Sequence, residues 1–314
     1  MTSGYDALRS AAAWLDLSAR GRIYATGEDR ARLLHAMTTN HVQQLSPGAG
    51  CYAFFLNAQG HILADLNLYC LEDRFLLDTE PETRERVFRH LDKYIIADDV
   101  ALEDLTESMA LVAMEGPHAT AVLAAAGAPL PDAEYAHAPW DGAMFARVSE
   151  TGAPGFRLFM PAGDKAGWIA RLESAGAVHA TPDEVRTVRL EHGKPRYGED
   201  IFDTTLPQET LQMHAVHFTK GCYLGQEIVE RIRSRGHVNR LLVRLEVEGE
   251  APLGSGTKVT AGSTEAGEIT SSAFSPGLGK VVALAYVRAQ YAAEGTALQA
   301  DRRPAISGPV VGQG

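Results

Sequence analysis

The stretch whose residue types could do chemistry is Lys220-Gly221-Cys222-Tyr223-Leu224-Gly225-Gln226-Glu227. A helical pattern opens near Gly225, with Ile228, Val229 and Ile232 on one apolar stripe. Cys222 then lies at or just before a helix N-terminus. Unpaired N–H groups there favour a thiolate over a thiol, and the charge of Lys220 acts in the same direction. A thiolate at such a place is a nucleophile or a soft ligand. The competing reading is a small buried side chain, which free cysteines usually are. His214 and His217 form an HxxH with nothing nearby to complete a ligand set, so no metal site is expected. Arg231, Arg233, Arg235, His237 and Arg240 make a basic run. It reads either as a solvated helix face interleaved with Glu227 and Glu230, or as a landing site for carboxylates.

These residues need a frame. Upstream, Thr181-Pro182-Asp183-Glu184 opens a helix with proline at its first position and Gly193 near its end. Glu191 sits near the C-terminal end of that helix, the wrong end for a carboxylate by the helix dipole, which calls for a partner or a ligand. Residues 14–104 read as mixed α and β. Cys51 to Leu56 and His61 to Cys70 flank Asn57-Ala58-Gln59-Gly60, a hairpin signal. Thr26 to Asp29 and Thr79 to Glu82 read as capping boxes that open two helices. Residues 109–176 repeat the strand–helix–hairpin–helix order in outline, which points to an internal duplication. After Arg240 the chain alternates, with recurring Gly and Ser turns, as in a small antiparallel barrel or sandwich. The tail from Asp301 is rich in Gly and Pro and is expected to be loose.

Bulk properties bound the function classes. The 314 residues are 45% apolar and 22% charged, an ordinary globular balance with room for two or three domains. Forty acids against 29 bases leave a net charge of −11, which disfavours sequence-independent binding to nucleic acid or anionic lipid. Cys51, Cys70 and Cys222 are odd in number and widely spaced, which suits a reducing compartment and gives neither a disulfide framework nor a resident iron–sulfur cluster. Met1 to Asp6 show no basic region followed by an apolar run, so no secretion signal is expected, and no window approaches 18 consecutive apolar residues. A cytoplasmic protein is expected.

KGCYLGQE resembles the signature of the YgfZ/GcvT-like folate-binding proteins, relatives of the aminomethyltransferase (T-protein) of the glycine cleavage system. Arg189-Leu190-Glu191-His192-Gly193-Lys194-Pro195-Arg196-Tyr197-Gly198-Glu199-Asp200 is similar to a second family segment. Leu206 to Glu209, Gly267 to Ser272, Ser275-Pro276 and Val281 to Val287 follow in the family's order. The resemblance implies a GcvT-like α+β fold: two related α+β domains and a small antiparallel β-barrel around a central folate pocket. The blocks are 1–106 (resuming within 180–240), 107–180, the signature segment 181–240, and 241–314.

It implies tetrahydrofolate, or a one-carbon derivative, as cofactor. Asp65 matches the second acid of the T-protein hairpin, where the first is replaced by Ala64. Glu191 matches the family's folate-contacting glutamate, and Tyr197 either stacks on the ligand or fills core. Lys220, Gln226 and Arg231 are carried over as further cofactor-binding candidates, and Arg forks suit a folate's glutamate tail. Cys222 and Asp65 are the expected catalytic residues. Cys222 stands where T-proteins have an acid, the mark of the YgfZ-like branch. The expectation is therefore a folate-binding accessory protein for iron–sulfur client or assembly proteins, with no membrane or nucleic-acid partner. The alternatives are a tetrahydrofolate-dependent aminomethyltransferase and a non-catalytic scaffold.

Overall fold

In the hairpin at residues 57–60 the Asn57 side chain accepts from the backbone N–H of Gln59 and of His61, each at 3.0 Å, and Gly60 takes φ +76°, open to glycine at little cost. That turn joins the strands Gly50–Leu56 and Ile62–Cys70, the start of a five-stranded antiparallel sheet. Phe75–Thr79, Gly21–Thr26 and Ala101–Asp104 complete it in that order. The chain is described by a computed structural model for residues 3–236 and 238–310, without the side chain of Arg235.

The two faces of this sheet do different work. Ala64, Leu66, Leu68 and Cys70 point with Ala53 and Phe55 into a core covered by the helices Arg30–Met37 and Arg84–Tyr94. Asp65 and Asn67, one residue out of phase, point to the other face. That face turns towards a second sheet, ordered Val178–His179, Ala13–Asp16, Met109–Glu115, Gly155–Pro161, Ala143–Ala146 and His137–Trp140. The second sheet is backed in turn by helices Ala119–Ala125 and Lys165–Ser174. Tyr69 and Leu76 from the first sheet meet Leu111 and Phe159 from the second.

The strand Ala13–Asp16, placed by sequence in the first block, pairs into the second sheet. The helix expected after Thr26 starts at Arg30, and its N-terminal Asp29 caps nothing because its carboxylate accepts from the Asp99 N–H across the loop. After Thr79 a short 3-10 turn, Pro81–Thr83, precedes the α-helix. The capping box at Thr181 is present as expected.

Residues 240–308 form a closed six-stranded barrel. Arg303–Gly308 lies in the tail expected to be loose. It is instead held on both sides, by Ala297–Ala300 and by Arg240–Val247, and closes the barrel. Residues 311–314 and His237 lie outside the described residues. The helix Pro182–Glu191 bridges the units, with Leu190 on the barrel and Val188 against the helix Gly4–Ser10. Residues 197–229 pack back on the first sheet, where Tyr197, Ile201, Tyr223 and Val229 cluster with Phe54 and Ile62. No described helix is long and apolar enough to cross a membrane.

Candidate functional site

Between the two sheets lies a cavity of about 620 Å³, within the range that holds a small-molecule ligand. Asp65 enters it from the middle of Ile62–Cys70. Across the strand pair Tyr52 is the diagonal neighbour of Asp65, and its hydroxyl donates to Asp65 Oδ2 at 2.7 Å. The other oxygen, Oδ1, is buried without a hydrogen-bond partner. Burial raises the Asp65 pKa, although the Tyr52 bond and the charge of Arg20 work against it. Tyr52 lies over the His214 ring, with centroids 5.3 Å apart and planes 22° apart. Met213, Val216 and Phe218 add apolar surface. One end of the cavity thus offers aromatic faces beside a single acceptor with no protein donor.

The rest of the wall is ionic, and Arg20 and Arg196 on it act on the charge of Asp65. Asp78, fully buried on the first sheet, pairs with Arg20 at 2.6 Å and with Arg157 of the second sheet. Arg157 also holds Glu150 at 2.6 Å, Arg20 also holds Glu80, and Arg196 joins Glu80 at 3.0 Å to Glu82 at 2.7 Å. Burial works to raise the Glu150 pKa, but Arg20 and Arg157 outweigh it and hold the carboxyl at about 2. Glu80 is pushed up by burial. Removing one member of such a network leaves an uncompensated buried charge, at a cost of about 3–5 kcal/mol. A smaller cavity of about 380 Å³ shares the walls Glu150, Arg189 and Arg196.

Of the candidate catalytic and cofactor-binding residues Cys222, Asp65, Glu191, Tyr197, Lys220, Gln226 and Arg231, the structure brings only Asp65 into the cavity. Glu191, expected at the folate, is corrected: it faces the barrel. Its Oε1 accepts from Tyr5 and from Ser275 Oγ at 2.6 Å, and its Oε2 pairs with Arg9 at 3.1 Å. Two residues earlier on the helix, about 200° around its axis, Arg189 takes the cavity side. Tyr197 fills core, and its hydroxyl accepts from Arg86 at 2.8 Å. Lys220 is turned inward, where its ammonium donates to the carbonyls of His35 and, at 2.5 Å, Thr38, closing the C-terminus of the helix Arg30–Met37. Burial lowers its pKa to about 8. Gln226 accepts from the Tyr223 N–H at 3.2 Å, a local turn bond, and Arg231 is exposed on its helix.

Cys222 is exposed and does not line the cavity. The helix that follows begins at Gln226, capped by Gly225 at φ +83°, so the thiol lies three residues outside it. Gly225 of the octapeptide serves close packing, whereas a Cβ on Gly221 would meet nothing nearer than His35 at 3.9 Å. A Cβ on Gly225 would come 2.6 Å from the Asn57 carbonyl, and one on Gly60 would come 2.8 Å from Ile228. The signature therefore seats its helix on the hairpin that carries Asp65. Ala64 is buried in the helix-covered core, so the acid missing there is missing from the opposite face of the sheet. Both departures from the T-protein pattern fall outside the cavity.

Sequence reasoning missed Tyr52, Asn67, Glu150, Lys194 and Arg196 as cavity residues. Gly193 carried a signal for two of them: at φ +70° it turns the chain after the helix and brings 194–196 back to the cavity. His214 had been read as a plain member of an HxxH, and no metal-binding group of His, Cys, Asp and Glu exists among the described residues. His217 packs instead against His41, with ring centroids 5.0 Å apart.

The GCVT N-terminal domain pattern matches residues 1–220, and the glycine cleavage T-protein C-terminal barrel domain matches 240–307. An aminomethyltransferase of Rubrobacter xylanophilus is 32% identical over 290 residues, covering 90% of this chain and 78% of that protein. One from Streptomyces coelicolor is 33% identical over 310 residues, covering 92% and 82%. The crystal structure of glycine cleavage system aminomethyltransferase T from Bartonella henselae superposes with a TM-score of 0.88 at 25% identity, over 99% of this chain and 88% of that one. These findings overturn the expectation of an accessory role toward iron–sulfur proteins. Relatives spanning nearly the whole chain are named aminomethyltransferases, which backs the alternative reading.

Proposed function

Since the chain belongs to the family of the glycine cleavage T-protein, we propose that it transfers an aminomethyl-derived one-carbon unit to tetrahydrofolate held in the 620 Å³ cavity. The observation that carries this reading is the unpartnered, buried Oδ1 of Asp65. A reduced pterin presents N–H donors on a flat ring, and this oxygen is an acceptor without a donor beside aromatic surfaces, so the residues fit the group. When bound, tetrahydrofolate supplies the nitrogens that take up the one-carbon unit.

The chain's own residues do the rest. Tyr52 fixes the Asp65 carboxylate through Oδ2 and leaves Oδ1 free to accept a ligand proton. The raised pKa of Asp65 brings it nearer the range in which a carboxyl exchanges protons at neutral pH. His214, stacked on Tyr52, keeps that hydroxyl in place. The ionic wall of Arg20, Asp78, Arg157 and Glu150 holds the two sheets at a fixed spacing around the ligand. Within the family we place the chain on the YgfZ-like branch, on the octapeptide around Cys222. That branch adds an exposed thiol that the transfer chemistry does not use.

The test is turnover with an aminomethylated lipoyl carrier protein, measuring ammonia release and methylenetetrahydrofolate with and without tetrahydrofolate. Tetrahydrofolate-dependent release supports the reading. Absence of both release and tetrahydrofolate binding to the wild type removes it.

A further inference from the structure

The cations lining the cavity are not equivalent. Arg20 is spent on Asp78 and Glu80, and Arg157 on Asp78 and Glu150. Arg189 is spent on Glu199 and on Asp200 at 2.7 Å, and Arg196 on Glu80 and Glu82. Lys194 is different. Its ammonium donates to the Ser149 carbonyl, and no carboxylate of the described residues lies within ion-pair distance of it. An ammonium has three donors, so two remain for other partners. Of the basic run expected to meet a folate's carboxylates, Arg231 and Arg233 are exposed on their helix and do not line the cavity, although Arg233 lies over the ring of the cavity residue Phe218 and is held by Glu230.

We propose that Lys194 receives a carboxylate of the ligand's glutamyl end, and so sets the preference for tetrahydrofolate over the same pterin without glutamate. This rests on the folate reading above. The two groups are complementary in what each lacks. Asp65 Oδ1 supplies an acceptor with no protein donor, and Lys194 supplies a cation that no described carboxylate holds in an ion pair, both on the wall of one cavity. A ligand with N–H donors at one end and carboxylates at the other answers both. Burial disfavours the charged amine, so an incoming carboxylate gains more there than at an exposed lysine. Glu150, Glu115 and Glu134 all act on the Lys194 charge from beyond ion-pair distance, and Glu150 is engaged by Arg157 and Glu115 by Thr151.

The experiment is equilibrium binding of tetrahydrofolate and of tetrahydropteroate as its primary amide, which lacks both the glutamate and any carboxylate, to the wild type, Lys194→Met and Lys194→Arg. The wild type is expected to prefer tetrahydrofolate by about tenfold, as one charge-assisted bond allows. In Lys194→Met tetrahydrofolate should weaken by about that factor while the tetrahydropteroate amide stays within twofold, and Lys194→Arg should keep most of the preference. Equal weakening of both ligands, or no weakening of either, overturns the assignment. If the wild type binds neither ligand, the folate reading itself fails. Should Lys194→Met not fold, Lys194→Gln carries the same test: a preference for tetrahydrofolate that survives unchanged in that variant is not made by the lysine's charge.

Discussion

Replacing Asp65 by asparagine keeps shape and reverses one function. The amide oxygen can still accept from Tyr52, now at 2.7 Å from Oδ2, so the amide nitrogen falls where Oδ1 was. An unpartnered acceptor becomes a donor facing the ligand's own N–H groups. The lost charge-assisted bond is worth roughly 1.5–3 kcal/mol, or roughly 10- to 150-fold in Kd for tetrahydrofolate. Loss of the proton acceptor costs roughly 10²- to 10⁴-fold more in turnover. Stability should move the other way. The folded pKa of Asp65 is raised, so ionisation costs stability as pH climbs through that value. Asp65→Asn should therefore equal or exceed the wild type in unfolding free energy at pH 7, with the difference vanishing towards pH 4. Calorimetric titration, turnover and denaturant melts at two pH values give all three quantities. Unchanged affinity and turnover in a folded Asp65→Asn protein would refute the assignment, and destabilisation at pH 7 would refute the electrostatic account of the buried carboxylate.

Cys222→Ser should leave tetrahydrofolate affinity and turnover within twofold, since the thiol lines no part of the cavity, and a tenfold loss in either would reopen the question of its role. Glu191→Ala should act on the fold, because it strips Tyr5, Ser275 and Arg9 of a common acceptor. A loss of about 2–4 kcal/mol in a denaturant melt is expected, with ligand affinity unchanged in the folded fraction. Lys220 has its pKa lowered from 10.5 to about 8, so between those values the unfolded chain binds a proton that the folded chain lacks. The wild type should then gain stability relative to Lys220→Met as pH rises from 8 towards 10.5, by up to about 3 kcal/mol. Parallel pH profiles of the two proteins would contradict a buried ammonium at that position.

What could be read from the chain was local. Asn57 to Gly60 announced its hairpin, Thr181 to Glu184 its helix start, and the alternation after Arg240 its barrel, because each is decided by neighbours in sequence. Asp65 was reached through the resemblance of its hairpin to that of the T-proteins, and the period of two sets it, with Asn67, on the face opposite Ala64 and Leu66. The ionic wall was invisible for the opposite reason: Asp78 meets Arg20 and Arg157 over 58 and 79 residues of chain, and no local pattern encodes that meeting. Lys220 misled because a long side chain can send its charge to either side of a loop, and here it went to the ends of a helix. Glu191 misled by its angle, since the helix faces the cavity two residues earlier, at Arg189.

Asp78 sits at the seam of the two sheets and is gripped from both sides. Prising the sheets apart would break the Asp78–Arg157 pair and leave Asp78 paired with Arg20 alone, a cost that disfavours domain breathing as a route for the ligand. Entry must go through openings that already exist. Association should then follow simple second-order kinetics up to high ligand concentration, with no plateau from a slow gating step. Weakening the seam, for instance with Asp78→Asn, would introduce such a plateau, and a clamp now read only as a source of rigidity would show itself as a determinant of rate.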